Sequence, residues 1–333
     1  MVIDIFLTWV DGSDQNWLNE KNKYAMETVV QKEVNGSERY RSWDNLQYLF
    51  RGIETCIPWV NKVFLVTCGQ IPSFLNIDHP KLRLVNHKDY IPEKYLPTFN
   101  SNTIEMNLFR LDDLSENFIL FNDDTFPISP IPETYFFKND TVCDEAIERI
   151  IGNVKKRDYA YVMLNNAWII NKYFNKRKVK RENFWKWYYP GYGKQLFRNV
   201  VMNYFHDFEG LRNPHEPFAM KKSTFKKLWE LETEILDQAS KNRFRNYTDV
   251  TQYIARYWQI FEGNFYPRLH QGRAWLVNDN NYKNVISCIK EQKYPLICID
   301  EDTEEKFSNY EVAKKEINLA LAELFPYKSS FEL

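Results

Sequence analysis

The stretch Val2-Ile3-Asp4-Ile5-Phe6-Leu7-Thr8-Trp9-Val10-Asp11-Gly12-Ser13-Asp14 decides the fold. A β-rich run that breaks off in turn residues is how a buried strand leaves a sheet, and it delivers the polar side chains of the turn to the strand's carboxyl end. Working outward, Asp44 reads as a helix N-cap, and Leu46, Leu49, Phe50, Ile53 and Ile57 repeat at helical spacing until Pro58 closes the helix. A strand from Lys62 to Cys68 runs into the turn Gly69-Gln70-Ile71-Pro72, and a shorter strand covers Lys81 to Val85. A helix follows over Asn102 to Leu111, and a further strand, Phe118 to Phe121, ends in Asn122-Asp123-Asp124.

Strands alternating with helices at this spacing predict an α/β protein with a mostly parallel, Rossmann-like sheet. In such sheets ligands bind beyond the carboxyl ends of the strands. Three polar clusters, Asp11 to Asp14, Gly69-Gln70 and Asn122 to Asp124, follow strands and are expected to converge on one crevice. Between Lys138 and Gly272 the pattern becomes helical, as over Phe225 to Leu236 and Val250 to Phe261. Residues 138–272 are therefore expected to form a mainly helical insertion or lid carrying part of the site, on a core of residues 1–137 and 273–333. The tail returns to a strand at Pro295 to Ile299, followed by Asp300-Glu301-Asp302 and a helix over Tyr310 to Leu324.

Composition narrows the function classes. Lys plus Arg total 44 against 45 for Asp plus Glu, so no global field favours nucleic acid, and a charged ligand must be held locally. The five cysteines are odd in number and without CxxC spacing, which argues against a disulfide framework or a zinc site. No run approaches the roughly 18 apolar residues that span a bilayer. With Met1 leading directly into a strand, the reading is a cytoplasmic protein, free or peripheral to the inner face of the membrane. The 24 Phe, 21 Tyr and 10 Trp serve either a core or a surface that stacks on sugar rings. One segment stands apart: Lys176-Arg177-Lys178 through Lys180-Arg181, then Phe184-Trp185-Lys186-Trp187-Tyr188-Tyr189. It suits either a membrane surface or a solvated helix start leading into a packed aromatic helix.

Adjacent carboxylates at a strand end can bind Mg²⁺ or Mn²⁺ and leave positions for phosphate oxygens, so Asp123 and Asp124 are the metal candidates, with Asn122 beside them. The same residues also make an ordinary Asx turn. Asp11-Gly12-Ser13-Asp14 is similarly a common turn and cap, or else Thr8 and Trp9 hold a nucleotide while Asp11 or Asp14 faces its phosphates. Arg51 and Arg245 are candidate bidentate phosphate donors. His215 lies in the stiff loop Asn213-Pro214-His215-Glu216-Pro217, where an imidazole can be aimed as a general base toward a hydroxyl. Asp249 is either a binding residue or a first-turn charge favoured by the helix dipole. No Walker loop, GxGxxG, HExxH or GxSxG occurs, which disfavours the chemistries those motifs carry.

Ile3-Asp4 with Thr8 to Asp14 forms one block. Asp44-Asn45-Leu46, Arg51-Gly52-Ile53, Pro58-Trp59-Val60, Val66-Thr67, Gly69-Gln70-Ile71-Pro72, Leu96 to Ser101, Ile104-Glu105, Leu114-Ser115-Glu116 and Asn122-Asp123-Asp124 form a second. The surroundings of His215 and Arg245, and Cys298 to Asp302 with Phe325-Pro326, make a third and a fourth. Together they resemble the Stealth family, which includes bacterial capsular polysaccharide phosphotransferases and the catalytic core of animal lysosomal-enzyme N-acetylglucosamine-1-phosphotransferase. Gln47, Phe74 and Asp300-Glu301 depart from the family pattern. The resemblance implies a glycosyltransferase-A-like fold. It also implies attack by a hydroxyl of a polysaccharide or lipid-linked oligosaccharide on the sugar-proximal phosphorus of a UDP-sugar, giving a phosphodiester and UMP. Within it, Asp123 and Asp124 are placed at the metal and diphosphate, Arg51 and Arg245 on phosphate oxygens, His215 as base, and Thr8, Trp9, Asp11, Asp14 and Gln70 around the nucleotide-sugar. Two rivals share parts of the evidence: a metal-dependent glycosyltransferase releasing UDP, and a non-catalytic carbohydrate-binding protein.

Overall fold

The structure, a computed structural model, describes residues 1–27, 42–152, 159–302 and 307–333. Its strands are β1 (Ile3–Thr8), β2 (Val63–Thr67), β3 (Leu82–Asn86), β4 (Asn117–Asn122), β5 (Thr125–Pro127), β6 (Phe137–Lys138), β7 (Thr141–Asp144), β8 (Phe218–Lys221), β9 (Phe265–Pro267), β10 (Arg273–Val277) and β11 (Leu296–Glu301). The helices used below are α1 (Gln15–Glu27), α2 (Leu46–Cys56), α3 (Ser101–Met106), α4 (Tyr159–Tyr173), α5 (Lys176–Glu182), α6 (Phe184–Trp187), α7 (Leu196–Val201), α8 (Lys222–Leu231), α9 (Thr233–Ser240), α10 (Tyr253–Phe261), α11 (Tyr282–Lys290) and α12 (Tyr310–Leu324).

The central sheet has the order β3-β2-β1-β4-β8, with β1 to β4 parallel and β8 antiparallel to β4. Phe6, Leu7, Phe64, Leu65, Phe118 and Ile119 are fully buried, because a parallel sheet covered on both faces needs apolar side chains on both. Register places Thr8 opposite Val66 on one side and Asn122 on the other, so the strands' carboxyl ends emerge level. α2 packs its Leu46, Leu49, Phe50 and Ile53 face into this core. It approaches β5 so closely that a Cβ on Gly52 would lie 2.6 Å from the Pro127 carbonyl oxygen. Asp44 does not cap α2 as the sequence predicts: it pairs with Lys314 of α12, and Asn45 takes the N-cap position.

Residues 138–272 are helix-rich, yet they are woven into the core. β8 completes the central sheet, β6, β7 and β9 make a small sheet of their own, and Phe225, Ile254 and Trp258 belong to the same continuous hydrophobic cluster as β1 and β2. A third sheet, β10-β11-β5, has β11 parallel to β10 and antiparallel to β5. All five cysteines are free. Among the described residues no helix is long and apolar enough to cross a membrane.

Candidate active site

The centre of the site is a seam between sheets. β4 ends at Asn122 and β5 begins at Thr125, so Asp123 and Asp124 are the whole link by which β4 of the central sheet passes into β5 of the β10-β11-β5 sheet. Asp124 is pinned from both sides: Thr125 Oγ1 donates to its Oδ1 at 3.0 Å, and its carbonyl accepts from Ile299 N of β11 at 2.8 Å. β11 pairs Cys298 with Thr125 and carries Asp300 just beyond. Burial, then the neighbouring Asp124 charge and more weakly that of Asp300, push the Asp123 carboxyl up to about 7.

His215 Nε2 stands 3.4 Å from Asp124 Oδ2, and the Asn122 side-chain amide lies 3.2 Å from the same ring nitrogen. Burial alone would lower the pKa of this imidazole, but the Asp124 carboxylate, by charge and hydrogen bond, and Asp300 outweigh it and raise it to about 9. For Asp124 the balance runs the other way: burial raises its pKa, and the His215 interactions together with the Thr125 and Cys298 hydrogen bonds bring it below its ordinary value. The two are therefore an imidazolium–carboxylate pair at neutral pH.

The loop holding His215 is rigid because both flanks are anchored in a buried polar network. Asn213 Oδ1 accepts from Arg256 at 2.7 Å and its amide donates to Tyr257 Oη at 2.6 Å. Glu216 Oε2 meets His270 Nδ1 at 3.1 Å and accepts from Tyr135 Oη at 3.2 Å. His270 Nε2 reaches Asp144, which Arg256 grips with two hydrogen bonds of 2.8 and 2.7 Å. These hydrogen bonds and ion pairs tie both flanks of the loop to the buried interior, although Glu216 Oε1 has no hydrogen-bond partner among the described residues.

Arg245 enters from the loop between α9 and α10, where its guanidinium donates to Ser101 Oγ at 2.9 Å at the start of α3. Asp249 does not line the crevice. It is fully buried and accepts from the Asn100, Asn102 and Asn242 amides at 2.9, 2.9 and 2.7 Å and from Asn246 N at 3.0 Å. That clamp, reinforced by Phe99 stacked on Phe244 at 5.2 Å, fastens the Arg245 loop to the start of α3.

α3 also carries a residue to which the sequence reading gives no role. Glu105 is buried, and its Oε2 has no hydrogen-bond partner among the described residues. Burial pushes its carboxyl up to about 7 against the pull of the Arg245 and His215 charges, so both cations act on it. An unpartnered buried carboxylate is costly, and groups with such shifts concentrate at reaction centres. The signal in the sequence is a charge set directly between Ile104 and Met106.

On the far side of the crevice the loops after β1 and β2 are fastened together. Gln70 Oε1 accepts from Asp11 N at 2.8 Å, and its amide donates to Asp11 O at 3.0 Å and Asp14 Oδ2 at 3.1 Å. The turn that aims Gln70 needs Gly69 at φ 107°, a left-handed conformation that side chains resist. Asp14 also caps α1 through Asn16 N at 2.8 Å, and Asp11 folds back onto Ser13. Trp9 packs its ring on the main core, and its amide donates to Val66 O at 3.0 Å. Arg51 is not brought to the cluster: its guanidinium forms a two-bonded pair with Glu332, at 2.8 and 2.7 Å, and also donates to Phe325 O at 2.8 Å.

The donor chemistry fits a hard divalent cation. Asp123 and Asp124 are adjacent carboxylates, and beyond burial the charges of Asp124 and, more weakly, Asp300 act on Asp123 in the direction a bound cation would relieve. Asp124, His215 and Cys298 also present ligand atoms within 4.8 Å of one another. Burial pushes the Cys298 thiol well above its ordinary range, which keeps it protonated and weighs against a soft thiolate site.

Comparison with known proteins places this geometry in context. Residues 1–28 match the family model described as Stealth protein CR1, conserved region 1, and residues 39–145 match Stealth protein CR2, conserved region 2. A capsular polysaccharide phosphotransferase, WcwK, of Streptococcus pneumoniae is 39% identical over 99% of this chain and 98% of its own length. An exopolysaccharide phosphotransferase, cps2G, of Lactiplantibacillus plantarum is 33% identical over 99% and 96%. A receptor polysaccharide phosphotransferase, WefC, of Streptococcus oralis is 32% identical over 99% of each chain.

Proposed function

The chain belongs to the Stealth family of sugar-phosphate transferases, and from that premise we propose that it moves hexose-1-phosphate from a UDP-sugar to a hydroxyl of a surface polysaccharide. The acceptor oxygen forms a bond to the sugar-proximal phosphorus as the bond from that phosphorus to UMP breaks. The hydroxyl proton leaves to a base, and the product is a phosphodiester. The observation that carries this reading is the pairing of His215 with Asp124 at the end of β4, with the buried Glu105 under the charges of His215 and Arg245.

Phosphoryl transfer asks for positioning and charge stabilisation more than for covalent help. Arg245, braced by Ser101, and the His215 imidazolium, held by Asp124, face the charge that spreads over the phosphoryl oxygens. The pairing with Asp124 makes His215 a cation first, and the base role passes to Glu105. Its free oxygen and its carboxyl near 7 suit it to accept the hydroxyl proton at neutral pH. Asp123 and Asp124 would hold Mg²⁺ or Mn²⁺, whose chemistry is to neutralise the diphosphate. Thr8, Trp9, Asp11, Asp14 and Gln70 shape the nucleotide side through the fastened loops.

The test is to incubate purified protein with a panel of UDP-sugars and a crude polysaccharide acceptor, with Mg²⁺ or Mn²⁺ and with chelator. Chromatography of the released nucleotide is expected to give UMP, lost on chelation. UDP would make the protein a glycosyltransferase, and turnover that survives chelation would remove the metal from the scheme.

A further inference from the structure

The short helix α7 and the turn Met202–Tyr204 after it invert the usual amphipathic order. Phe197, Val200, Val201 and Tyr204 recur at helical spacing on one face, and they are 71%, 53%, 47% and 88% exposed. Asn199, on the opposite face, is fully buried. Its amide donates to the Ala146 and Trp187 carbonyls, both at 2.6 Å, and its oxygen accepts from Glu148 N at 2.8 Å. The helix thus buries Asn199 and turns Phe197, Val200 and Val201, with Arg198, to the outside.

α5 is sorted in the same unusual way. Lys176 and Lys180 point inward and share the buried Glu148, leaving Arg177, Lys178 and Arg181 exposed. On α6, Trp185 is 78% exposed. The two groups adjoin: Arg177, Arg181, Phe184, Tyr188 and Asn203 line one surface depression of about 330 Å³, and Tyr188 Oη donates to Asn203 at 2.9 Å. The exposed residues of 176–207 include five cations, Arg177, Lys178, Arg181, Lys194 and Arg198, against the carboxylates Glu182 and Asp207, in a chain whose net charge is −1. An apolar stripe flanked by a local excess of cations is built to be covered.

We propose that α5, α6, α7 and the Met202–Tyr204 turn form a docking surface for an anionic phospholipid bilayer. The cations meet lipid phosphates, Trp185 and Tyr204 take the headgroup level where such rings prefer to lie, and Phe197, Val200 and Val201 enter the acyl boundary. Charge selects this occupant. A second copy related by a twofold axis would set this cationic surface against itself, and a neutral glycan gives the cations no partner. The segment runs through the Leu211–Glu148 bridge directly into the loop of His215, so the bilayer seats the reaction centre beside the membrane.

The test needs neither donor nor acceptor and is independent of the proposed reaction. Full-length protein is sedimented with sucrose-loaded vesicles of phosphatidylcholine alone or with roughly one third phosphatidylglycerol. Partitioning is expected on the anionic vesicles only. The combined variant Arg177→Gln, Lys178→Gln, Arg181→Gln is expected to weaken it by about a hundredfold, at roughly fivefold per cation. The pair Phe197→Ser, Tyr204→Ser is expected to weaken it at least about tenfold. Both variants alter exposed side chains, and unchanged thermal midpoints would establish that they fold. Absence of partitioning, equal partitioning on neutral vesicles, or binding by the Phe197, Tyr204 variant equal to the parent's would overturn the proposal. So would a dimer in sedimentation velocity that the same variant dissolves while vesicles are ignored.

Discussion

Glu105 concentrates the chemistry in one side chain, because its burial is costly and the Arg245 and His215 charges offset only part of that cost. The carboxyl titrates at about 7 in the folded chain and at 4.5 as a free group, so the fold retains a proton that the unfolded chain releases. Stability therefore falls as pH rises from 4.5 to about 7 and stays lower above. The loss amounts to roughly 3 kcal/mol at about 1.4 kcal/mol per pH unit. Glu105→Gln should then melt higher than the parent at pH 8, while its turnover drops by about 10²–10⁴-fold. As the base must be ionised, parental turnover should rise with pH through about 7, and the variant should lack that limb. A variant that melts no higher and keeps the limb would return Glu105 to the structural background. The sequence identifies Asp123 and Asp124 because they end a buried strand, whereas Glu105 is hidden by its setting: one carboxylate in a short helix reads as surface until the fold shows it buried.

Elements bring the polar clusters together, and they do so through backbone contacts more than through exposed side chains. Register brings the carboxyl edges of β1, β2 and β4 level, so the polar clusters that follow them leave the sheet at the same edge. Within those clusters several side chains serve turns. Asp14 caps α1, Asp11 bonds to Ser13, and Asp249 clamps a loop, roles that a one-dimensional pattern does not separate from ligand binding. Gln70 is the element-scale hinge pin between the loops after β1 and β2. Gln70→Ala leaves Asp11 N and O to find other partners, at about 1–3 kcal/mol, and should raise the donor KM about tenfold with kcat nearly unchanged. Initial-rate measurements against donor concentration check this, and a parental KM would mean that the two loops hold their shape without the pin.

Across the whole molecule, the parallel sheet is legible in the sequence because strands buried on both faces leave apolar runs. The middle third is less so: β6, β7, β8 and β9 have only two to four residues each, too few for a period, so 138–272 reads as a helical lid although β8 completes the central sheet. Arg51 shows the same limit at long range, since its partner Glu332 lies 281 residues away. Arg51→Ala would leave the half-buried Glu332 with only its Ser329 hydrogen bonds, at a cost of about 1–3 kcal/mol, lowering the thermal midpoint by a few degrees while turnover per folded molecule is unchanged. Lost turnover at an unchanged midpoint would instead put Arg51 on phosphate. The reaction assigned to the molecule rests on which bond to phosphorus breaks, and one label follows it. With a UDP-sugar carrying radioactive phosphorus at the sugar-proximal position, the account predicts that polymer and label are recovered together, with unlabelled UMP in solution. Label recovered as UDP, beside unlabelled polymer extended by one sugar, would contradict it.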